Sequence, residues 1–196
     1  MRGQPRYLFD VADMDKRMHI AWRAPMVAKA IVDVFSPRHV LDLGCGNGDI
    51  VDGLLGLRVD AWGVDSSSAA GRMIKPYFIR GDLCKPTTTW TVPKRHSDDG
   101  FPILPVFPSD LAICLEVFSI LPEEQHEAAL KTVLACGTTL LVNWLSAAVE
   151  KEALRAAGFI PNVPAIESLR MRLDHWKHRD AFKAFCVTGE VWRRRA

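Results

Sequence analysis

Apolar positions along this chain keep changing period. From Asp13 to Phe35 they recur at helical spacing, at Met18, Ile20, Ala21, Met26, Val27, Ala30, Ile31 and Val34. That is the pattern of helices with one buried face. Pro25 divides the stretch into two predicted helices, and Ser36-Pro37 stops it. His39–Leu43 (HVLDL) is a short, mainly apolar run followed at once by glycines, which predicts a buried strand. Asp49–Leu57 predicts a helix, and Arg58–Val64 a second strand closed by Asp65. Ser66-Ser67-Ser68 offers N-caps for a short helix through Met73. Tyr77–Arg80 predicts a third strand, ending at Gly81-Asp82.

The stretch from Lys85 to Ser109 breaks this rhythm. It carries Pro86, Pro93, Pro102, Pro105 and Pro108 around the turn cluster Ser97-Asp98-Asp99-Gly100. A connection that long in a compact domain reads as a lid-like insertion over 85–109. The regular pattern then resumes. Asp110–Leu115 predicts a buried strand and Pro122–Cys136 a helix with proline in its first turn. Thr138–Trp144 predicts a strand, and a further helix runs from an N-cap at Ser146 to a stop at Gly158. Phe182–Trp192 has strand composition, while Ala165–His178 fits strand or helix. Helices and strands in alternation predict an α/β fold with a mostly parallel sheet.

Composition narrows the class without naming a function. The 196 residues are 48% hydrophobic and 24% charged, ordinary globular usage that excludes a disordered or fibrous chain. No apolar run approaches the ~20 residues of a membrane-spanning helix, and Met1–Asp10 lacks the apolar core of a secretory signal. Five cysteines with no C-x-x-C pair argue against a disulfide framework or a cysteine-rich zinc site. Reduced thiols fit a cytoplasmic protein. The net charge is only +2, but the residues from Glu167 to Ala196 hold eight basic side chains against four acidic ones. Trp176 and Trp192 stand among them. Such an end offers a nucleic-acid contact through its charges and aromatics, or packs on the core and solvent like any other surface.

The sharpest chemistry lies at Asp42-Leu43-Gly44-Cys45-Gly46-Asn47-Gly48, between a predicted strand and a predicted helix. Glycines there let the backbone turn tightly and approach a ligand, and the helix start behind them offers free N–H groups. A dinucleotide site uses G-x-G-x-x-G. Here the third glycine comes one residue early and Asp49 takes its place, where a carboxylate would repel a pyrophosphate. Asp42, just before the glycines, suits a cationic ligand instead.

That combination resembles the class I S-adenosylmethionine-dependent methyltransferases, whose first motif reads acid-x-G-x-G-x-G. The resemblance runs from about His39 to Arg193 with the motifs in the family's order. It implies a Rossmann-like, three-layer fold: a central seven-stranded, mostly parallel sheet with one antiparallel C-terminal strand, and helices on both faces. Residues 1–38 would form an N-terminal helical cap and 39–196 the cofactor-binding domain.

The resemblance also implies roles. Asp42, Gly44, Cys45, Gly46 and Gly48 would hold the methionine end of S-adenosylmethionine. Asp65, with Ser66 beside it, would take the ribose hydroxyls. Asp82 would take the adenine amino group, with Leu83 offering backbone to the ring. Leu115 and Glu116 close the fourth motif, and Arg23 stands about one helix ahead of the glycine turn, where the family often places a contact to the cofactor carboxylate. The product would be S-adenosylhomocysteine. No metal is implied, because only Glu116, Glu123 and Glu124 stand near the strand-four exit.

The match thins at the acceptor side. Where small-molecule members read Glu-Val-x-Glu-His-Leu-Pro, this chain reads Glu116-Val117-Phe118-Ser119-Ile120-Leu121-Pro122, so the histidine position is Ile120. Glu116, His126 and Asn143 are the remaining catalytic candidates, and Trp144 ends strand five beside them. Strand four also lacks the Pro-Pro signature of amino-methylating DNA enzymes. The expected reaction is methyl transfer to an oxygen or nitrogen of an acceptor the sequence does not name, small molecule or nucleic acid. The rival readings are a non-catalytic cofactor-binding subunit that partners another methyltransferase, and aminopropyl transfer on the same fold. With so little cap material, a second subunit closing the site is also open.

Overall fold

The computed structural model describes residues 24–93, 105, 107–143, 147–174 and 189–195. Helix α1 (Ala24–Phe35) leads into β1 (His39–Leu43), α2 (Asp49–Gly56), β2 (Asp60–Asp65) and β3 (Phe78–Arg80). Then follow β4 (Ser109–Cys114), α3 (Glu123–Cys136), β5 (Gly137–Asn143), α4 (Ala147–Ala156), β6 (Phe159–Pro161), α5 (Val163–Asp174) and β7 (Gly189–Arg194). The segment that fits either strand or helix is therefore helical over most of its described length. The first of the two predicted N-terminal helices falls on residues outside those described.

The strands form one sheet in the order β3-β2-β1-β4-β5-β7-β6. All neighbouring pairs from β3 to β5 are parallel, whereas β7 runs antiparallel to both β5 and β6. This is the Rossmann-like α/β architecture, with six strands one way and the C-terminal strand reversed.

The alternation of side chains explains why these strands read as continuous apolar runs. Leu41 and Leu43 of β1 point into one core with Trp62, Phe118, Phe159 and Trp192. Val40 points into the other, with Val27, Ile31, Val51 and Leu54 of α1 and α2 and Leu169 of α5. In β4, Leu111 and Ile113 join the second core, and Ala112 and Cys114 the first. A strand buried on both faces has no solvent side to mark with polar residues. Helices α3 and α4 cover the first face, giving three layers.

Two details fix the frame around the site. Gly53 of α2 lets α1 approach, since a Cβ there would lie 2.9 Å from the Ala28 methyl. At the opposite end of β1, Asp110 Oδ2 accepts the backbone N–H groups of Arg38 (2.9 Å) and His39 (3.0 Å). Those bonds hold its carboxyl below the usual range against the opposing effect of burial. The amino ends of β1 and β4 are thereby pinned, and the carboxyl ends open toward the glycine turn.

Candidate functional site

The turn after β1 is built on three left-handed glycines, Gly44 (φ 80°), Gly46 (φ 55°) and Gly48 (φ 92°). Two are crowded as well. A Cβ on Gly44 would lie 2.3 Å from Val117 Cγ2, and one on Gly48 would lie 2.4 Å from Ile74 Cγ1. The Gly44 and Cys45 N–H groups both donate to the Val64 carbonyl, at 2.8 and 3.0 Å, so the turn folds back over β2. Gly48 caps α2 with no side chain, leaving first-turn N–H groups for another partner.

Asp65 closes β2 and grips the turn. Its Oδ2 accepts the Gly46 N–H at 3.1 Å and its Oδ1 the Ser67 N–H at 2.8 Å. A carboxylate oxygen can accept more than one hydrogen bond. Ser66 follows directly. The helix predicted from Ser66 through Met73 does not form. Its backbone donors are spent on the glycine turn instead, Gly71 N–H to Gly46 O at 2.7 Å and Met73 N–H to Asn47 O at 3.3 Å. The Ser67 hydroxyl takes the Ala69 N–H at 3.1 Å, and Gly71 stands at φ 65°. Serine and glycine here favour local turns over helix. The result is a strap across residues 66–74.

Carboxylates dominate the electrostatics. Asp42 is only 5% exposed, and its side chain has no hydrogen-bond or ion-pair partner among the described residues. Burial, with the charges of Asp65 and Asp49 behind it, pushes its carboxyl up to about 7. Asp49 Oδ1 is buried without a hydrogen-bond partner. Its pKa is raised by burial and by Asp52. Burial and the same acids raise the Cys45 thiol well above its usual range. A cation would relieve all of these at once.

Asp82 and Leu83 follow β3. Asp82 Oδ1 accepts the Cys84 N–H at 2.9 Å and Oδ2 lies 3.4 Å from Lys85 Nζ; Leu83 is buried. The Gly81 N–H donates to the Asp65 carbonyl at 3.0 Å, which brings the second and third acids to one rim. The described start of the predicted 85–109 insertion packs down rather than out. Thr91 pairs with Arg80 at the β3 edge. The Trp90 ring lies on Gly81, its Nε1 donating to Asp82 O at 3.2 Å. Residues 94–104 of that insertion lie outside the described residues.

At the exit of β4, Glu116 takes φ 60°, a left-handed conformation for a residue with a side chain. Its N–H donates to Asn143 Oδ1, and Asn143 Nδ2 donates to its Oε1, both at 2.6 Å. Ser119 Oγ donates to its carbonyl at 2.7 Å. Leu115 is half-buried against the second core. Two catalytic candidates are thus brought together. The third is not in contact with them. His126 Nε2 lies 3.1 Å from Leu121 O, and its ring meets Phe118 edge-on at 5.4 Å.

Other candidates fall elsewhere. Arg23, Trp144, Ser146 and Trp176 lie outside the described residues. Trp192 is 2% exposed, so it is core and no stacking platform for a nucleic-acid base. Within the basic C-terminal stretch, Arg172 pairs with Asp33 and Arg194 donates to Leu134 O. Sequence reasoning missed Val117, Ile74 and Trp90, which shape the turn and rim through packing. The only signal for them was their apolar character.

The chain was compared with known proteins. No protein-family model matches the sequence, and no curated protein matches it. Solved structures do. Magnesium protoporphyrin IX methyltransferase from Synechocystis, solved with S-adenosylmethionine bound, superposes with a TM-score of 0.55 at 16% identity, over 100% of this chain and 87% of that one. A TehB-like S-adenosylmethionine-dependent methyltransferase from Corynebacterium glutamicum gives 0.56 at 20% identity, over 78% of this chain and 86% of that one. This is the class I methyltransferase fold. A chain from the Haloferax volcanii complex of the Trm112 methyltransferase activator with a methyltransferase shares it, with a TM-score of 0.54 at 19% identity over 98% and 99% of the two chains. In the methyltransferase fold of the present protein, no helix among the described residues is long and apolar enough to cross a membrane. No group of three or more metal-binding side chains occurs among them either.

Proposed function

We propose that this protein transfers a methyl group from S-adenosylmethionine to a nitrogen or oxygen nucleophile. The observation that carries the reading is the glycine turn itself. Three left-handed glycines bring backbone to the switch point between β1 and β4, where the strand order reverses and open α/β sheets bind ligands. The turn is lined by an unpartnered buried Asp42 and by Asp49 with an orphaned oxygen. A ligand bearing a sulfonium and an ammonium fits that donor set, whereas a pyrophosphate does not.

When bound, the cofactor supplies an electrophilic methyl group. The chain's own residues then orient and exclude. Asp42 and Asp49 balance positive charge, Asp65 and Asp82 accept hydrogen bonds, and Trp90 and Leu83 keep water from the rim. Glu116, steadied by Asn143, would accept a hydrogen bond from an N–H or O–H acceptor and so direct its lone pair. No general base is needed for an acceptor with an available lone pair, so catalysis is mainly positioning.

Calorimetric titration with S-adenosylmethionine tests the first half. Binding to the wild type and none to Gly46→Arg supports the site; unchanged binding in that variant overturns it. Methyl-labelled cofactor with fractionated lysate then assigns the acceptor class. The likeness to the Haloferax chain, solved with an activator protein, favours a second reading in which transfer needs a partner. Cofactor binding without label in any fraction is the outcome that reading expects.

A further inference from the structure

Asp42 stands in an unusual position for an acid. It occupies a parallel strand inside the sheet, nine-tenths buried, with no hydrogen bond or ion pair among the described residues. The ionisable groups facing it come from each neighbouring element. Asp65 faces it from β2, Asp49 from the start of α2, Cys45 from the turn and Cys114 from β4. None of these is a cation. The charged groups at the far end of the strands are committed elsewhere, His39 Nδ1 to Asp60 at 3.1 Å and Asp110 to two backbone N–H groups. Asp65 accepts the Gly46 and Ser67 N–H groups, and its charge acts on Asp42. A second negative charge at Asp42 therefore has little solvent and no hydrogen-bond or ion-pair partner among the described residues to stabilise it until a cation arrives.

We propose that binding of the cationic cofactor at the glycine turn is coupled to loss of one proton from Asp42. The inference rests on the cofactor reading above and deepens it. In the free protein below about pH 7, Asp42 holds its proton. On binding, the O–H bond breaks, the proton passes to solvent, and the carboxylate electrons remain to face the incoming positive charge. Burial and the two neighbouring acids already raise the Asp42 carboxyl to about 7, which places this exchange within reach of ordinary pH. Affinity for the cofactor then reports on proton concentration.

The test is calorimetric titration of the full chain with S-adenosylmethionine in buffers of different ionisation enthalpy, below about pH 7. The cofactor's own amino group titrates near pH 8 and stays out of that window. Close to one proton is released per cofactor near pH 6, and Kd falls about tenfold per pH unit on approach to neutrality. In Asp42→Asn, its fold checked by circular dichroism, the binding enthalpy no longer depends on buffer and Kd is flat across the window. A second variant guards against a misfolded first. Asp65→Asn removes one of the two facing charges and moves the midpoint of the wild-type pH dependence downward. A buffer-independent enthalpy in the wild type overturns the proposal. So does undiminished proton release in Asp42→Asn, or an unmoved midpoint in Asp65→Asn. Absence of any binding to the wild type overturns the cofactor reading itself, and is thereby distinguished from failure of the coupling alone.

Discussion

Glu116 and Asn143 hold each other by two hydrogen bonds of 2.6 Å, the Glu116 N–H to Asn143 Oδ1 and Asn143 Nδ2 to Glu116 Oε1. The pair joins the carboxyl ends of the adjacent strands β4 and β5. It also explains how a glutamate keeps φ at 60°, a conformation that costs about 1–2 kcal/mol for a residue with a Cβ. Asn143→Ala removes both bonds and leaves the strain, so a loss of about 1–3 kcal/mol is expected in urea denaturation. Glu116→Gly keeps the N–H arm and relieves the strain, and its expected cost is below about 1 kcal/mol. If the two variants lose equal stability, the brace is not the asparagine's contribution.

Gly44 connects this exit to the glycine turn after β1. Its missing Cβ makes room for Val117 Cγ2, 2.3 Å from where that carbon would stand. Gly44→Ala therefore meets both a clash and an unfavourable φ of 80°. We expect a loss above about 2 kcal/mol, with weaker binding of S-adenosylmethionine. Val117→Ala in the same chain removes the obstructing methyl. A double-mutant cycle then shows a coupling of at least about 1 kcal/mol, the remaining cost being backbone strain. Zero coupling in denaturation would show that the two residues do not press on one another.

What could be read from the sequence follows from which forces are local. Strands β1, β4 and β5 were legible because double-sided burial writes an apolar run, and the glycine turn because left-handed backbone selects glycine. The positions of Asp65 at the end of β2 and of Asp82 just after β3 were legible because the strands before them are. The strap over 66–74 was not. Its serines are good N-caps, and only the tertiary offer of the Gly46 and Asn47 carbonyls turned those N–H groups away from a helix. The Glu116–Asn143 pair joins residues 27 positions apart, which no periodicity encodes. Helix α5 was ambiguous because its exposed Val163 and Met171 blur the apolar stripe that Ile166, Leu169 and Leu173 draw.

Trp90 shows how packing alone shapes the rim. It is 8% exposed, and its ring fills the space that a Gly81 side chain would take. Trp90→Ala empties that space and is expected to cost about 3–5 kcal/mol. Trp90→Phe keeps most of the volume and loses the bond to Asp82 O, for about 0.5–1.5 kcal/mol. Both values come from chemical denaturation. A Trp90→Ala variant as stable as the wild type would mean that the insertion's first segment does not rest on β3.

Asp42 sets stability against function. Its folded carboxyl lies near 7, above the ordinary 3.8, so the folded state binds the extra proton. Its contribution to stability is complete below about pH 4 and is lost as pH rises through about 7. Asp42→Asn carries no such loss. Without cofactor, variant and wild type should match near pH 4, and the variant should gain up to about 4 kcal/mol by pH 8. Urea denaturation at several pH values reads this directly, and a difference that does not grow with pH would refute it. On the proposed cofactor reading, the same substitution is expected to weaken S-adenosylmethionine binding at neutral pH, which titration calorimetry reads.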